Sequence, residues 1–459
     1  MQDAYVKRGL LRAASCIGGA AIIAGCATSS PVPAADKQGG TESAAAAAPA
    51  APQAAGTEAP CTTAGLTLPA GFCATIFADS VGSSRHLVVA PSGDVFVAIQ
   101  RGRPGTFAAG VRPGALALRD TNGDGIGDMQ ARFADTGNTG IGLHADWLYL
   151  DVGRAIIRYP LPAGALRPSG PPDTVVADLP GPPGHRARNF VIASDGSLFV
   201  NVGSATNSCQ VQERQRESPG HDPCLELQTR AGIWRFDANR TGQRFAPAAR
   251  YATGIRNATG MAIHPVTGAL FAATHGRDLL HGNWPALFSE AQNAELPSEE
   301  LFLVSAGDDF GWPYCYWDGV QRARVLAPEY GGDGRQVGRC SWRKGNVSAL
   351  PAHWAPNALT FYNGTMFPSR YRGGAFIAFH GSWNRAPLRQ EGYNVVFIPF
   401  TGASTSGAWE VFADGFAGPA PQPTTAAHRP TGVAVAPDGA LFVSDDIGGR
   451  IWRITYRGP

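Results

Sequence analysis

Residues 84 to 102 read SRHLVVAPSGDVFVAIQRG: a short alternating apolar run, a turn built on Pro-Ser-Gly, and a second apolar run that closes on polar residues. The same plan returns at 186–204 (RARNFVIASDGSLFVNVGS), 254–278 (GIRNATGMAIHPVTGALFAATHGRD) and 429–449 (RPTGVAVAPDGALFVSDDIGG). Looser copies lie at 137–153 (GNTGIGLHADWLYLDVG) and 357–385, the latter with an insertion before its second run. Alternation on both sides of a glycine turn predicts a β-hairpin. Several hairpins are followed by a further strand-like run: AIIRYPL, AGIWRFDAN, YNVVFIPF or GRIWRITY. Repeating β units at an uneven period of about 65 residues, without helical periodicity, predict an all-β fold, a six-bladed β-propeller.

In a propeller the innermost strand of each blade runs beside the axis, so the residues leading into those strands gather at one mouth of the channel. Here the lead-ins carry Arg85, His185 with Arg188 and Asn189, Arg256 with Asn257, and Arg429; the fifth hairpin adds His380, Trp383 and Arg385 just after its second strand. Several guanidiniums around one opening repel one another unless an anion lies between them, and their planar forks suit carboxylates or phosphates. The expected ligand is a flat anion, with Trp383 available to stack on it. A histidine beside it, His185 or His380, is suited to general-base work because its pKa lies near neutrality.

Composition sets the frame. Lys7, Arg8 and Arg12 precede a weakly apolar stretch ending in Ile23-Ala24-Gly25-Cys26, the layout of an export signal over 1–26, with Cys26 as the expected lipidation point. Residues 27–60 are Ala, Pro, Ser, Thr and Gly with hardly an aromatic, and are expected to be a disordered tether. Residues 61–459 are expected to form the propeller domain. Basic and acidic residues nearly balance, 38 against 36, with no long basic run, which argues against a nucleic-acid partner. Apart from Cys16 and Cys26 the cysteines are Cys61, Cys73, Cys209, Cys224, Cys315 and Cys340, and in an exported chain proximity suggests the pairs 61–73, 209–224 and 315–340. The expected location is the periplasm, with contact to the membrane only through a lipid anchor.

The motifs LPAGF, GHRARNFVIASDGSLFVNVGSATNSC, GIRNATGMAIHP with THGRD, DDFGWPYC, FHGSWNR and RPTGVAVAPDGALFVSDD, in this order over about residues 66–458, resemble the soluble, pyrroloquinoline quinone (PQQ)-dependent sugar dehydrogenases, most closely the sorbosone and pyranose dehydrogenase branch. The resemblance implies a tricyclic o-quinone with three carboxylates as cofactor. It implies His185 as the base that takes the sugar hydroxyl proton while hydride passes to the quinone. It further implies Arg256 and Asn257 on the quinone, with Arg256 polarising its carbonyl; Arg85, Arg385 and Arg429 on its carboxylates; and Trp383 on its ring. Arg188 and His380 complete the expected cofactor set. A calcium ion on the cofactor is implied as well, held by the carbonyls of Gly276 and Arg277, although Arg277 stands where glucose-type members carry a small residue or proline.

A second calcium candidate is RDTNGDGIGD at 119–128, where Asp120, Asn122, Asp124 and Asp128 follow the spacing of an EF-hand loop whose twelfth position is Ala131 instead of glutamate. The competing reading there is a plain Asx-rich turn. Two rival functions stand beside the dehydrogenase: a metal-dependent lactonase on a similar propeller, which needs Glu, Asn and Asp on the axis, and a non-catalytic propeller gripping an acidic ligand. With no CxxCH for a haem, electrons are expected to leave to a separate acceptor such as a cytochrome or a quinone. Substrate contacts are expected from the loops 281–298 and 320–345.

Overall fold

The computed structural model describes residues 60–102, 104 and 107–458; the expected signal segment, and the tether but for its last residue, lie outside them. Six sheets form the blades of a propeller, antiparallel except where Gln243–Arg244 adds a parallel edge to blade 2. Their inner strands are Ser83–Val89, Ile141–His144, Phe190–Ile192, Gly260–Ile263, Pro356–Phe361 and Pro430–Val435, so every hairpin read from the sequence opens a blade. The runs AIIRYPL, AGIWRFDAN, YNVVFIPF and GRIWRITY supply third strands, Ile156–Pro160, Gly232–Asp237, Asn394–Ile398 and Ile451–Tyr456.

The sixth blade is completed from the other end of the chain. Phe72–Ala78 pairs antiparallel with Ile451–Tyr456, Phe72 opposite Tyr456 and Cys73 opposite Thr455. This strand lies outside the six hairpins, and it closes the ring.

The second strands are apolar on both faces because each is sandwiched between neighbouring blades. In Ala375–Phe379, Phe376 and Ala378 pack into the core shared with blade 6. Ala375, Ile377 and Phe379 pack into the core shared with blade 4. In Val95–Gln100, Val97 and Ile99 likewise face blade 6 and Phe96 and Ala98 face blade 2. A two-residue side-chain period thus feeds two cores from one strand.

Antiparallel pairing brings the end of each second strand back to the start of the inner strand, so the excursions that follow second strands lie at the same mouth as the lead-ins. Cys209–Cys224 lies in the excursion between the second and third strands of blade 3, Cys315–Cys340 in that between the third and fourth strands of blade 4, and Cys61–Cys73 ties the closing strand to the segment before it. All three are the pairs expected from proximity. The two loops expected to carry substrate contacts meet: Leu287, Gln292 and Glu295 share a groove with Val320, Gln321 and Asp333.

Candidate functional site

At that mouth lies a cavity of about 270 Å³, lined by residues of several blades that include Arg85, Arg101, His185, Arg186, Asn257, Thr259, His275, His380 and Asp446. Of the residues expected here, Arg85, His185, Asn257 and His380 do line it.

Arg85 is placed by a β-bulge. Ser84 pairs with Ile99 and the next paired residue is Leu87 with Val97, so Arg85 and His86 fall in the irregular step. A bulge re-aims side chains. Arg85 reaches the cavity, and His86 the channel between the inner strands. Arg85 Nη1 pairs with Asp446 Oδ2 at 2.8 Å, and Asp446 Oδ1 lies 2.8 Å from His380 Nε2. Burial opposes the Asp446 charge, but His380 and Arg85 outweigh it and hold the carboxyl well below the ordinary range. Burial, with Arg429 nearby, pushes His380 down to about 3.

His185 and Arg256 are joined through one residue. The backbone N–H and Nδ1 of His185 both reach Ser204 O, at 3.0 and 2.9 Å, and Ser204 N–H donates to Arg256 O at 2.8 Å. With Nδ1 as the donor, Nε2 is the basic nitrogen. Burial first, then the Arg256 charge, push the imidazole down to about 3, so it is neutral at physiological pH.

Arg256 is gripped on three sides. Its Nε donates to Asn207 O (3.2 Å), Nη1 to Gly276 O (2.7 Å), and Nη2 to Asn207 Oδ1 (3.1 Å) and Asp278 Oδ2 (3.2 Å). Asn257 accepts from Asn201 Nδ2 at 3.0 Å, and its backbone carbonyl accepts from His275 N–H at 3.0 Å. His275 Nε2 donates to Thr259 Oγ1 (2.8 Å), whose hydroxyl donates to Pro356 O (2.7 Å). Asn207, Asp278, Asp446, His275 and Thr259 were not singled out as site residues from the sequence. Their roles come from partners far away in the chain, and no local spacing announces them.

Three of the expected arginines are corrected. Arg188 is 1% exposed and donates to the carbonyls of His185, Ala187 and Pro180. Arg385 donates to Arg389 O, Ala294 O and Ala352 O and pairs with Glu295 at 2.7 Å and Glu391 at 3.2 Å. Arg429 donates to the carbonyls of His380 and Gly381, at 2.8 and 2.9 Å. None of the three lines the cavity, and neither does Arg256, which borders an adjoining pocket with Gly276, Arg277 and Trp312. Loop carbonyls without strand partners need donors, and a buried guanidinium supplies several at once. Trp383 is 53% exposed and does not line the cavity either.

The cation expectations meet two obstacles. Gly276 O faces the Arg256 guanidinium, so a cation there would sit against a positive charge, and Gly276 N–H is held by Glu299 Oε2 at 2.6 Å. The Arg277 side chain is buried in an ion pair with Glu329. Of the two expected carbonyl donors, that of Gly276 is thus already committed to Arg256. In the 119–128 loop, Asp120 accepts from the amides of Asn122, Gly123 and Gly125, Asp124 from Asn122 Nδ2 and the Ile126 amide, and Asp128 from Thr121. These are the bonds of an Asx-rich turn. Among the described residues no group of three or more His, Cys, Asp or Glu side chains is arranged to hold a metal ion.

Comparison with known proteins agrees with this architecture. An uncharacterised protein of Borreliella burgdorferi is 28% identical over 207 residues, 45% of this chain and 48% of that one. A pyrroloquinoline quinone-dependent pyranose dehydrogenase of Coprinopsis cinerea is 28% identical over 306 residues, 56% of this chain and 38% of that one. The chain thus spans about half, or less, of the length of these curated relatives. Among solved structures, the Trichoderma reesei carbohydrate-active enzyme of family AA12 superposes with a TM-score of 0.69 at 18% identity, covering 87% of this chain and 100% of that one. The PQQ domain of the Coprinopsis cinerea pyranose dehydrogenase gives 0.67 at 18% identity, covering 87% and 98%. The soluble aldose sugar dehydrogenase of Escherichia coli gives 0.52 at 17% identity, covering 84% and 100%. At these identities the structural likeness shows the fold. A model of the TrAA12-like family matches residues 66–457, and the chain belongs to that family.

Proposed function

We propose that this protein is a quinoprotein sugar dehydrogenase: it oxidises an aldose, pyranose or sorbosone-type sugar with PQQ held at the propeller mouth and passes the electrons to a separate acceptor. One observation carries the reading. A neutral imidazole whose Nδ1 is committed to Ser204 O lies in the wall of a polar axial cavity, tied through Ser204 to an arginine.

The residues present fit the cofactor. A flat polycarboxylate needs cationic and amide donors around a shallow chamber, and Arg85, Asn257 and the guanidiniums of the rim supply them. Bound there, the quinone supplies the hydride acceptor. His185 Nε2 takes the proton of the sugar hydroxyl; its Nδ1 bond to Ser204 fixes the tautomer and ring plane. Arg256, held by Asn207, Gly276 and Asp278 beside the cavity and joined to His185 through Ser204, would supply the positive charge where negative charge develops. A calcium ion on Gly276 O would have to draw that carbonyl away from Arg256.

The lactonase reading needs several carboxylates on the axis. The cavity carries one, Asp446, and Arg85 and His380 already hold it. Three disulfides suit an exported protein in an oxidising compartment. Periplasmic residence, a lipid anchor at Cys26 and a cytochrome or quinone as acceptor complete the proposal.

The test is reconstitution with PQQ, with and without calcium, followed by visible absorbance and dye reduction over a panel of sugars. Saturable quinone binding with sugar-dependent bleaching of the dye is expected. A chain that binds no PQQ is not this enzyme.

A further inference from the structure

The uncompensated positive charge at the cavity lies where the sequence reading did not look. Arg85 is paired with Asp446, Arg256 with Asp278, Arg385 with Glu295 and Glu391, and Arg188 and Arg429 are buried on backbone carbonyls. Arg101 and Arg186 differ: both line the cavity, both are exposed, and among the described residues neither side chain has an ion-pair partner.

Their places in the fold converge on one wall. Arg101 directly follows the second strand of blade 1, Val95–Gln100, and Arg186 directly follows His185 on the lead-in to blade 3. Between them blade 2 contributes Asn138 and Thr139 to the same cavity. Asn138 Nδ2 donates to Arg186 O at 2.8 Å and to Asp151 Oδ2 at 2.9 Å, which pins the backbone beneath the guanidinium. The result is two exposed cations at one cavity, one of them beside the proposed general base. Like charges on one rim with no counter-ion lower their mutual repulsion by taking an anion, and a guanidinium takes a carboxylate through two parallel N–H donors.

We infer that Arg101 and Arg186 form a carboxylate clamp over the cavity, the role first expected of Arg85, Arg385 and Arg429. The ligand chemistry is a carboxylate on a flat or ring-shaped molecule. It can come from the tricarboxylate cofactor or from an acidic sugar, a uronic acid. The identity of the ligand rests on the quinoprotein reading; the clamp itself does not.

The experiment uses Arg101→Gln, Arg186→Gln, the double variant, and Arg372→Gln as a charge-matched control on an exposed arginine outside the cavity. Calorimetry with benzene-1,3,5-tricarboxylate tests the clamp without PQQ. The wild type and the control are expected to bind it and each clamp variant to lose about tenfold, the size of one charge-assisted contact. Titration with PQQ and the KM for a neutral aldose against its uronic acid then separate the sources. A PQQ Kd raised about a hundredfold in the double variant, with a flatter salt dependence, assigns the clamp to the cofactor. An unchanged PQQ Kd with a KM raised only for the uronic acid assigns it to substrate. The clamp is overturned if the wild type ignores the tricarboxylate, or if the control variant loses as much as the others. Binding of the tricarboxylate without binding of PQQ leaves the clamp standing and removes the proposed function.

Discussion

His185 and Arg256 hang from the two ends of one peptide residue: Ser204 O takes the imidazole Nδ1 at 2.9 Å, and Ser204 N–H donates to Arg256 O at 2.8 Å. The base and the fixed cation therefore hold their separation without touching each other. Replacing His185 by Gln removes the basic Nε2 and leaves that frame in place. The expected outcome is a fall in kcat of about 10²–10⁴, the usual range for general-base removal, with the PQQ Kd within about threefold of wild type. Stopped-flow reduction of the bound quinone checks it; an equal loss in binding and in rate would mean that His185 holds the cofactor instead.

Arg256 invites a more conservative change. Arg256→Lys keeps a positive charge but cannot reproduce the four contacts to Asn207, Gly276 and Asp278. An ammonium on a flexible stem loses the fixed aim of the fork, so kcat is expected to drop about a hundredfold, the scale of one misplaced electrostatic donor. Arg256→Ala is expected to add a stability loss of about 3–5 kcal/mol, because it breaks a buried pair and leaves Asp278 with Arg214 alone. Urea unfolding of both variants separates the two effects.

What the chain discloses by itself follows from the range of each interaction. The six hairpins are legible because alternation and a glycine turn are local, and the disulfides because their partners lie 12, 15 and 25 residues apart. The closing strand Phe72–Ala78 is not, since its partner is at the other end of the chain. The arginines show the sharper limit. A lead-in arginine reveals its residue type but not where its guanidinium turns, and Arg188, Arg385 and Arg429 turn to carbonyls of nearby loops. Arg101 and Arg186 stood in the same quoted repeats, yet nothing in their spacing distinguished them from solvated turn residues.

The histidines predict a pH profile. His86 and His275 are pushed down to about 4, and His185 and His380 to about 3, each mainly by burial. In the unfolded chain they titrate near 6.5. Below that value the unfolded state takes up protons that the native state refuses, so stability falls as pH drops from 6.5 towards 4. Glu299 acts in the opposite sense. Burial pushes it up to about 8, so between 4.5 and 8 the native state keeps a proton that the unfolded state loses, and stability declines with rising pH. His264 and His353 are lowered too, and Asp151 is raised like Glu299; six imidazoles against two carboxyls give a steep acid limb, a maximum near neutrality and a shallow decline towards pH 8. Urea midpoints from pH 4.5 to 8.5 measure the curve, and Glu299→Gln is expected to flatten its alkaline side. A midpoint unchanged between pH 5 and 6.5 would contradict the burial of these imidazoles.

The closure of the ring rests on Phe72. Its side chain is 5% exposed, and its ring meets Phe367, Phe412, Tyr371 and Tyr456 at centroid distances of 4.8, 5.0, 5.5 and 4.9 Å. Three of those partners belong to blade 5 or its loops and one to blade 6, so a single residue from the start of the described chain fills the joint between two blades. Phe72→Ala is expected to lower the unfolding free energy by about 3–5 kcal/mol, the usual loss for a buried phenylalanine. The control is Val266→Ala, at a residue 85% exposed on the turn of blade 4, with a change below about 0.5 kcal/mol. Because the closing strand is the fourth strand of blade 6 and pairs only with Ile451–Tyr456, weakening it uncovers a sheet edge. The variant is therefore expected to show faster amide exchange along Ile451–Tyr456 than in the second strand of blade 3, Ser197–Val202, on the opposite side of the ring. Uniform exchange across all six blades would mean that the propeller opens only as a whole and that Phe72 is one core residue among many.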